Sequence, residues 1–235
     1  MNSTSKITII IPCYNEINFL EIIIQRVLDT KIPDKQIIIV DDFSTDGSKE
    51  LLKNKIEPLV NKVIYHEKNM GKGACIKSGI QFIEGDIVII QDADLEYNPS
   101  DHEKLVNLMI DSNADVVYGS RFLDETKNSN LNLYLTNRIA NFMLTALTNL
   151  LTGLKITDME TGLKCFKKKA IQSINLIENR FGFEPEVTIK LAKKKFKFEE
   201  TDIAYYARTF KEGKKIRTKD GVVALFCIIK YFLIS

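Results

Sequence analysis

The chain has 235 residues, of which 45% are hydrophobic and 27% charged, with only 5 Pro and 11 Gly. That is enough apolar material for an ordinary core, and it excludes a disordered tail or a disulfide miniprotein. The net charge of +2 conceals a division: residues 1–120 hold 12 Lys and Arg against 19 Asp and Glu, while residues 121–235 hold 21 against 12.

The apolar run Ile7–Cys13 predicts a first strand, and the polar Tyr14-Asn15-Glu16 follows it. A helical pattern over Phe19–Thr30, with Asn18 as its N-cap, leads to a second strand at Gln36–Val40. That strand exits into Asp41-Asp42-Phe43-Ser44-Thr45-Asp46-Gly47, where Asp46 suits another N-cap. A third strand at Val63–His66 precedes Lys68-Asn69-Met70-Gly71-Lys72-Gly73 and a helix over Ala74–Phe82. The fourth, Ile87–Gln91, exits into Asp92-Ala93-Asp94-Leu95-Glu96; a helix over Ser100–Ser112 opens after Pro99. The fifth, Asp115–Tyr118, exits into Gly119-Ser120-Arg121. Continuous rather than alternating apolar runs predict strands covered on both faces, in the βαβ pattern of a mainly parallel sheet. Such sheets bind ligands at the carboxyl ends of their strands, which here are rich in carboxylates.

The second half is less regular. It predicts a helix over Thr136–Leu150, a turn at Thr157–Gly162, a helix over Pro185–Lys194 and a strand-like Phe198–Tyr206. The basic segment Arg208–Lys219 then precedes a final apolar stretch. No repeat or linker divides the chain, so one domain over 1–235 is expected. Cys13, Cys75, Cys165 and Cys227 form no C-x-x-C pair, which points to a reducing compartment without disulfides or structural zinc. No run of 18 apolar residues predicts a transmembrane helix, and Ile7–Ile11 is too short for a signal peptide.

Asp92 and Asp94, with Glu96 two residues on, can set oxygens around one hard divalent cation that carries a diphosphate. The alternative is a solvated acidic turn. Asp42 suits a bond from a base N–H or a ribose hydroxyl, or else a simple turn. Gly71-Lys72-Gly73 either opens a helix through a tight turn or brings Lys72 to a phosphate; it fits neither the Walker nor the dinucleotide fingerprint. His66 and His102 have no partner at ligand spacing and read as surface or core histidines. No G-x-S-x-G elbow supports serine hydrolysis.

Taken in order, Ile9-Ile10-Ile11-Pro12-Cys13-Tyr14-Asn15-Glu16, Val40 to Gly47, Gly71-Lys72-Gly73-Ala74, Asp92-Ala93-Asp94-Leu95 and Gly119-Ser120-Arg121 resemble a family-2 glycosyltransferase of the GT-A fold. The nearer resemblance is to polyprenyl-phosphate sugar synthases, such as the dolichol-phosphate mannosyltransferases and dolichyl-phosphate glucosyltransferases. It continues through Asp158 to Lys164, Gly182 to Glu186, Tyr206-Ala207-Arg208-Thr209 and Glu212 to Ile216. The resemblance implies an α/β fold with a Rossmann-like nucleotide-sugar-binding half over 1–120, an acceptor half over 121–219 and an amphipathic helix over 220–235. It implies that Pro12, Tyr14, Glu16, Asp42, Lys72, Asp92, Ala93 and Arg121 bind the nucleotide sugar. Asp92, Asp94 and Glu96 would hold Mg²⁺ or Mn²⁺, Asp94 and Arg208 would be catalytic, and Arg208, Lys214 and Lys215 would meet the acceptor phosphate. The R-x-x-G-x-S-K pattern of the mannosyltransferases is not reproduced, because Lys214-Lys215 replaces Ser-Lys and Arg208 stands five residues before Gly213.

The implied reaction is inverting transfer of a hexose from a donor of the GDP-mannose or UDP-glucose type to a polyprenyl phosphate, for a cell-envelope glycan. A phosphate acceptor is largely ionised at neutral pH and needs no strong base. A hydroxyl acceptor would need one, with Asp158 or Glu160 in that role. A non-catalytic nucleotide-sugar-binding subunit is the third reading, and the intact Asp92 and Asp94 argue against it. The implied location is cytoplasmic, peripheral on the cytoplasmic face of a membrane, with a membrane-protein partner or a homo-oligomer compatible with it and no nucleic acid involved. Val222, Val223, Leu225, Phe226, Ile228, Ile229, Phe232 and Leu233 recur at helical spacing after Lys211, Lys214, Lys215, Arg217 and Lys219, with Asp220 as a cap. That helix is expected either to anchor at the membrane interface or to pack on the core.

Overall fold

A computed structural model describes residues 6–124, 135–209 and 218–234. Seven strands form one sheet: β1 (Ile7–Cys13), β2 (Lys35–Asp41), β3 (Lys62–Tyr65), β4 (Ile87–Ile90), β5 (Val116–Ser120), β6 (Lys164–Lys167) and β7 (Phe198–Asp202). Their order across the sheet is β3-β2-β1-β4-β6-β5-β7. The four strands β3, β2, β1 and β4 run parallel, as the βαβ pattern predicts. β6 is antiparallel to both β4 and β5, so the sheet is mixed.

The principal helices are α1 (Leu20–Leu28), α2 (Ser48–Leu51), α3 (Lys72–Ile80), α4 (His102–Asp111), α5 (Leu135–Thr152), α6 (Lys168–Gln172), α7 (Phe183–Lys193) and α8 (Thr218–Ile234). They cover both faces of the sheet, which is why the central strands β1 and β4 are almost continuously apolar. On one face Ile7, Ile9, Ile11 and Ile37 pack with Leu20, Ile23 and Val27 of α1 and Leu105 and Met109 of α4. On the other Ile10, Val88, Ile90 and Tyr118 pack with Ile76 of α3, Phe183 and Val187 of α7 and Ala224, Cys227 and Ile228 of α8. All four cysteines are free and buried.

Three expected helix starts differ. Asn18 does not cap α1; the cap position is Phe19, and the Glu16 carbonyl takes the Phe19 and Leu20 amides instead. Asp220 lies inside the first turn of α8, which opens at Thr218. Asp46 is not the cap of α2 either: that position is Gly47, and the Asp46 carboxylate, one residue earlier, accepts from the Ser48 and Ile17 amides at 2.9 and 3.0 Å. A turn of 3₁₀ helix begins at Pro99, capped by the Asn98 side chain on the Ser100 amide.

The last helix packs one face on the core and exposes the other. Ala224, Cys227, Ile228 and Tyr231 are buried, while Val222 (68% exposed), Phe226 (67%) and Leu233 (73%) point outward. α5 packs beside α8 and exposes Phe142, Met143 and Leu150. No described helix is long and apolar enough to cross a membrane.

Candidate active site

A cleft of about 680 Å³ opens at the carboxyl ends of β1, β2 and β4. Pro12, Tyr14, Glu16, Asp42, Lys72, Asp92, Ala93, Asp94, Glu96, Arg121 and Arg208 all line it. These are the residues expected at the site apart from Lys214 and Lys215, which, like Glu212, lie outside the described residues.

Carboxylates and cations of the chain meet directly in this cleft. After β7 the chain returns alongside the residues that follow β4: Tyr97 and Tyr205 pair as an isolated antiparallel bridge, and the Tyr206 amide donates to the Glu96 carbonyl. This return delivers Arg208. Its Nη1 donates to Glu16 Oε2 at 2.9 Å, Nη2 to Asp94 Oδ2 at 2.5 Å, and Nε reaches Glu96 Oε1 at 3.4 Å. Burial opposes the arginine's charge, but these carboxylates raise its pKa above the ordinary value. Burial, with Glu96 and Asp92 nearby, pushes Asp94 up to about 8 against the opposing pull of Arg208.

Asp92 is held from another side. Lys72 Nζ lies 2.8 Å from Asp92 Oδ1 and 3.2 Å from Glu184 Oε1. Lys72 is the first residue of α3, and the turn before it needs glycine. Gly71 has φ +103°, and a Cβ there would stand 2.5 Å from the Asn179 carbonyl oxygen. Gly162 faces Asp92 so closely that a side chain would strike that carboxylate and the Tyr97 ring.

Two expectations are redirected by this geometry. Glu96, expected among the metal ligands, has Oε2 bonded by the Tyr205 hydroxyl at 2.9 Å and Oε1 by the Arg208 amide at 3.0 Å. It clamps the returning segment, and Asp92, Asp94 and Glu96 do not converge as a three-carboxylate cluster among the described residues. Asp42, expected to meet the nucleotide, spends its oxygens on the chain: His66 Nδ1 (2.8 Å), Asn69 Nδ2 (2.8 Å), the Met70 amide (2.9 Å) and the Gly71 amide (2.6 Å). It fixes the loop that presents Lys72. Asp42, His66 and Cys75 lie within mutual reach. The His66 nitrogens are nevertheless taken by Asp42 and Ser78, and burial pushes the Cys75 thiol up. His102 is buried against Gln91, and burial lowers its pKa to about 3. Both histidines are thus core residues.

Arg121 forms a fork on Asp158, with Nε to Oδ2 and Nη2 to Oδ1 each at 2.7 Å, and stacks over Tyr205 at 5.1 Å. Burial works against the Asp158 charge, yet Arg121 outweighs it and holds the carboxyl below its usual range. That makes Asp158 a poor proton acceptor. Glu160 differs: burial and the neighbouring Glu184 push it up to about 8, and one of its oxygens is sealed without a partner. Burial lowers Lys164, beneath them, to about 8.

Asn69, Tyr97, Gly162, Arg180, Phe181, Glu184 and Tyr205 also line the cleft with no individual site role legible in the sequence, as does Asp220, expected only as a helix cap. The loop from Lys68 to Gly73 and the runs Asp158 to Lys164 and Gly182 to Glu186 carry the signal for Asn69, Gly162 and Glu184.

Hard oxygen donors of Asp92 and Asp94 suit Mg²⁺ or Mn²⁺. The ammonium and guanidinium already seated on them mark the place as one that takes positive charge.

The family model of Glycosyl transferase family 2 matches residues 8–174. A UDP-N-acetylglucosamine–dolichyl-phosphate N-acetylglucosaminyltransferase of Methanococcus voltae is 30% identical over 215 residues, 84% of each chain. An undecaprenyl-phosphate mannosyltransferase of Micrococcus luteus is 26% identical over 217 residues, 89% of this chain and 87% of the relative. Glucosyl-3-phosphoglycerate synthase of Mycobacterium tuberculosis, solved with Mg²⁺ and UDP, superposes with a TM-score of 0.73 at 17% identity, covering 98% of this chain and 80% of that one. The fold is GT-A.

Proposed function

The chain belongs to glycosyl transferase family 2, and from that premise we propose that it moves a hexose from a nucleotide diphosphate sugar to a polyprenyl phosphate at a membrane surface. The observation that carries the reading is the cleft itself, where Lys72, Arg121, Arg180 and Arg208 stand among carboxylates at the strand ends. Relatives that act on dolichyl and undecaprenyl phosphate support the acceptor class. One relative is named for UDP-N-acetylglucosamine and the other for mannose, so they leave the donor sugar open.

Pro12, Tyr14, Asp42 and Ala93 would form the wall for base and ribose, with Asp42 acting through the loop it holds. A divalent cation held by Asp92 and Asp94 would neutralise the diphosphate as a leaving group. Arg208 would turn its planar fork to phosphate oxygens, with Glu96 and Tyr205 steadying its backbone. Positioning and charge neutralisation then supply the rate, and no histidine or free aspartate base is needed. Lys214 and Lys215 would meet the acceptor phosphate. A hydroxyl acceptor is the second reading; Glu160, lining the cleft with its raised pKa, favours itself over Asp158 as the base for it.

The outward apolar faces of α5 and α8 would rest in the headgroup region, where the acceptor's tail lies. The basic residues before α8 add about 1 kcal/mol each near an anionic surface. The intact chain should float with anionic liposomes and release with salt. A chain cut before Asp220 that floats equally would count against the anchor.

Thermal shift with a panel of nucleotide sugars, with and without Mn²⁺, tests the donor reading. The true donor at about a hundred times its Kd should add about 2.7 kcal/mol of stability. No stabilisation by any nucleotide sugar would contradict it.

A further inference from the structure

The carboxylates proposed to hold a divalent cation each hold a cation of the chain already. Lys72 sits on Asp92 and Glu184, while Arg208 bridges Asp94 and Glu16. Both side chains are largely enclosed, Lys72 14% and Arg208 11% exposed. A divalent ion on Asp92 and Asp94 therefore cannot simply add to the cleft. It takes over carboxylate oxygens from an ammonium and a guanidinium, leaving Lys72 only Glu184 and Arg208 only Glu16 and Glu96, with a divalent charge beside them. Enclosed charges that lose part of their counter-charge are disfavoured. A diphosphate restores the negative charge that the displaced pair has lost.

The backbones are built for side-chain exchange. The Arg208 amide stays on Glu96 at 3.0 Å, and Glu96 is in turn fixed by Tyr205. Before Lys72, the Gly71 amide stays on Asp42 at 2.6 Å, and after it the Ala74 amide stays on the Asn179 carbonyl at 3.0 Å. Arg121 is not part of the exchange, because Asp158, away from the cation position, engages two arms of its fork.

We infer that Lys72 and Arg208 are exchangeable counter-ions of the donor site, so that a divalent cation binds weakly to the protein alone and tightly only together with a nucleoside diphosphate whose phosphates receive the two displaced side chains. This rests on the donor-site reading above and adds a binding order to it: cation and diphosphate enter as a coupled pair. Removing a counter-ion is then expected to tighten cation binding in the absence of nucleotide, although it harms transfer.

Mn²⁺ titration followed by electron paramagnetic resonance tests this on the full chain, alone and with saturating UDP or GDP. The wild type should bind Mn²⁺ at least tenfold more tightly with one of the two nucleotides than without. Arg208→Gln and Lys72→Met should each bind Mn²⁺ alone at least tenfold more tightly than the wild type, with the nucleotide effect reduced to match. Arg208→Lys, which keeps the charge, should stay near the wild type. Circular dichroism and melting establish that each variant is folded. Tight Mn²⁺ binding by the wild type alone overturns the inference. So does nucleotide-coupled binding that neither Arg208→Gln nor Lys72→Met alters, and in that case the donor site itself stands. If neither Mn²⁺ nor nucleotide binds the wild type in any combination, both the inference and the donor-site reading fail.

Discussion

Residues 6–120 line the cleft mainly with carboxylates, whereas the described residues after them bring cations and carboxylates together. Strands β1 and β4 deliver Glu16, Asp92 and Asp94 within a few residues of their carboxyl ends, and the loop that Asp42 holds after β2 delivers Lys72. The later half delivers Arg121, Arg180 and Arg208, but it also supplies Asp158, which holds Arg121, Glu184, which holds Lys72, and Glu160 in the cleft wall. The early half thus sets ligands by strand geometry, whereas the later half sets them by long-range pairing. The difference teaches where mutations act. Early carboxylates are placed by a buried sheet and their loss should read out as lost chemistry. Later groups are placed by ion pairs, and loss of a partner should read out as lost stability as well.

The largest effect on this view is structural. Asp158→Ala leaves Arg121 enclosed without its fork, and chemical denaturation should show a loss of about 3–5 kcal/mol. A loss below about 1 kcal/mol would mean that the later half is not held by this pair. Asp94→Ala should do the opposite, lowering kcat about 10²–10³-fold with little change in melting temperature, because Arg208 keeps Glu16 and Glu96 as partners. A large melting shift with modest rate loss would break the division between the halves.

Arg208→Lys sharpens the comparison, because it keeps charge but not the fork. Its kcat should fall about tenfold or more, and that of Arg208→Ala further. Wild-type kcat in both variants would remove Arg208 from the chemistry.

The smallest expected effect is in pH. Glu160 is raised to about 8 in the folded chain, mainly by burial and then by Glu184. Between its unfolded pKa near 4.3 and about 8, the unfolded chain has lost this proton and the folded chain still keeps it. Stability from this group therefore falls as pH rises through that interval and levels off above about pH 8. Glu160→Gln should flatten the decline measured by denaturation from pH 5 to 8. Parallel profiles would contradict the assignment.

The same contrast explains what could be read in advance. β1 matches its apolar run at Ile7–Cys13, and the acidic strand exits follow directly, because covered parallel strands leave a contiguous signal. β6 left no such signal. Its four residues, Lys164–Lys167, are short and half polar, and their place between β4 and β5 depends on a return of the chain. Arg208 was legible as a residue type, but not its seat on Glu16 and Asp94, which lie 192 and 114 positions away. Glu96 looked like a ligand by spacing alone; the Tyr205 hydroxyl that claims it lies 109 residues on.

The identity of the acceptor decides the proposed reaction. Purified protein should be given labelled nucleotide sugar, Mg²⁺ or Mn²⁺ and a polyprenyl phosphate in detergent, and the product then partitioned between chloroform and water. Label in the chloroform phase, released by mild acid and absent without the polyprenyl phosphate, is the predicted result. Label appearing only in a water-soluble glycan or as free sugar, with none in lipid for any donor, would contradict it.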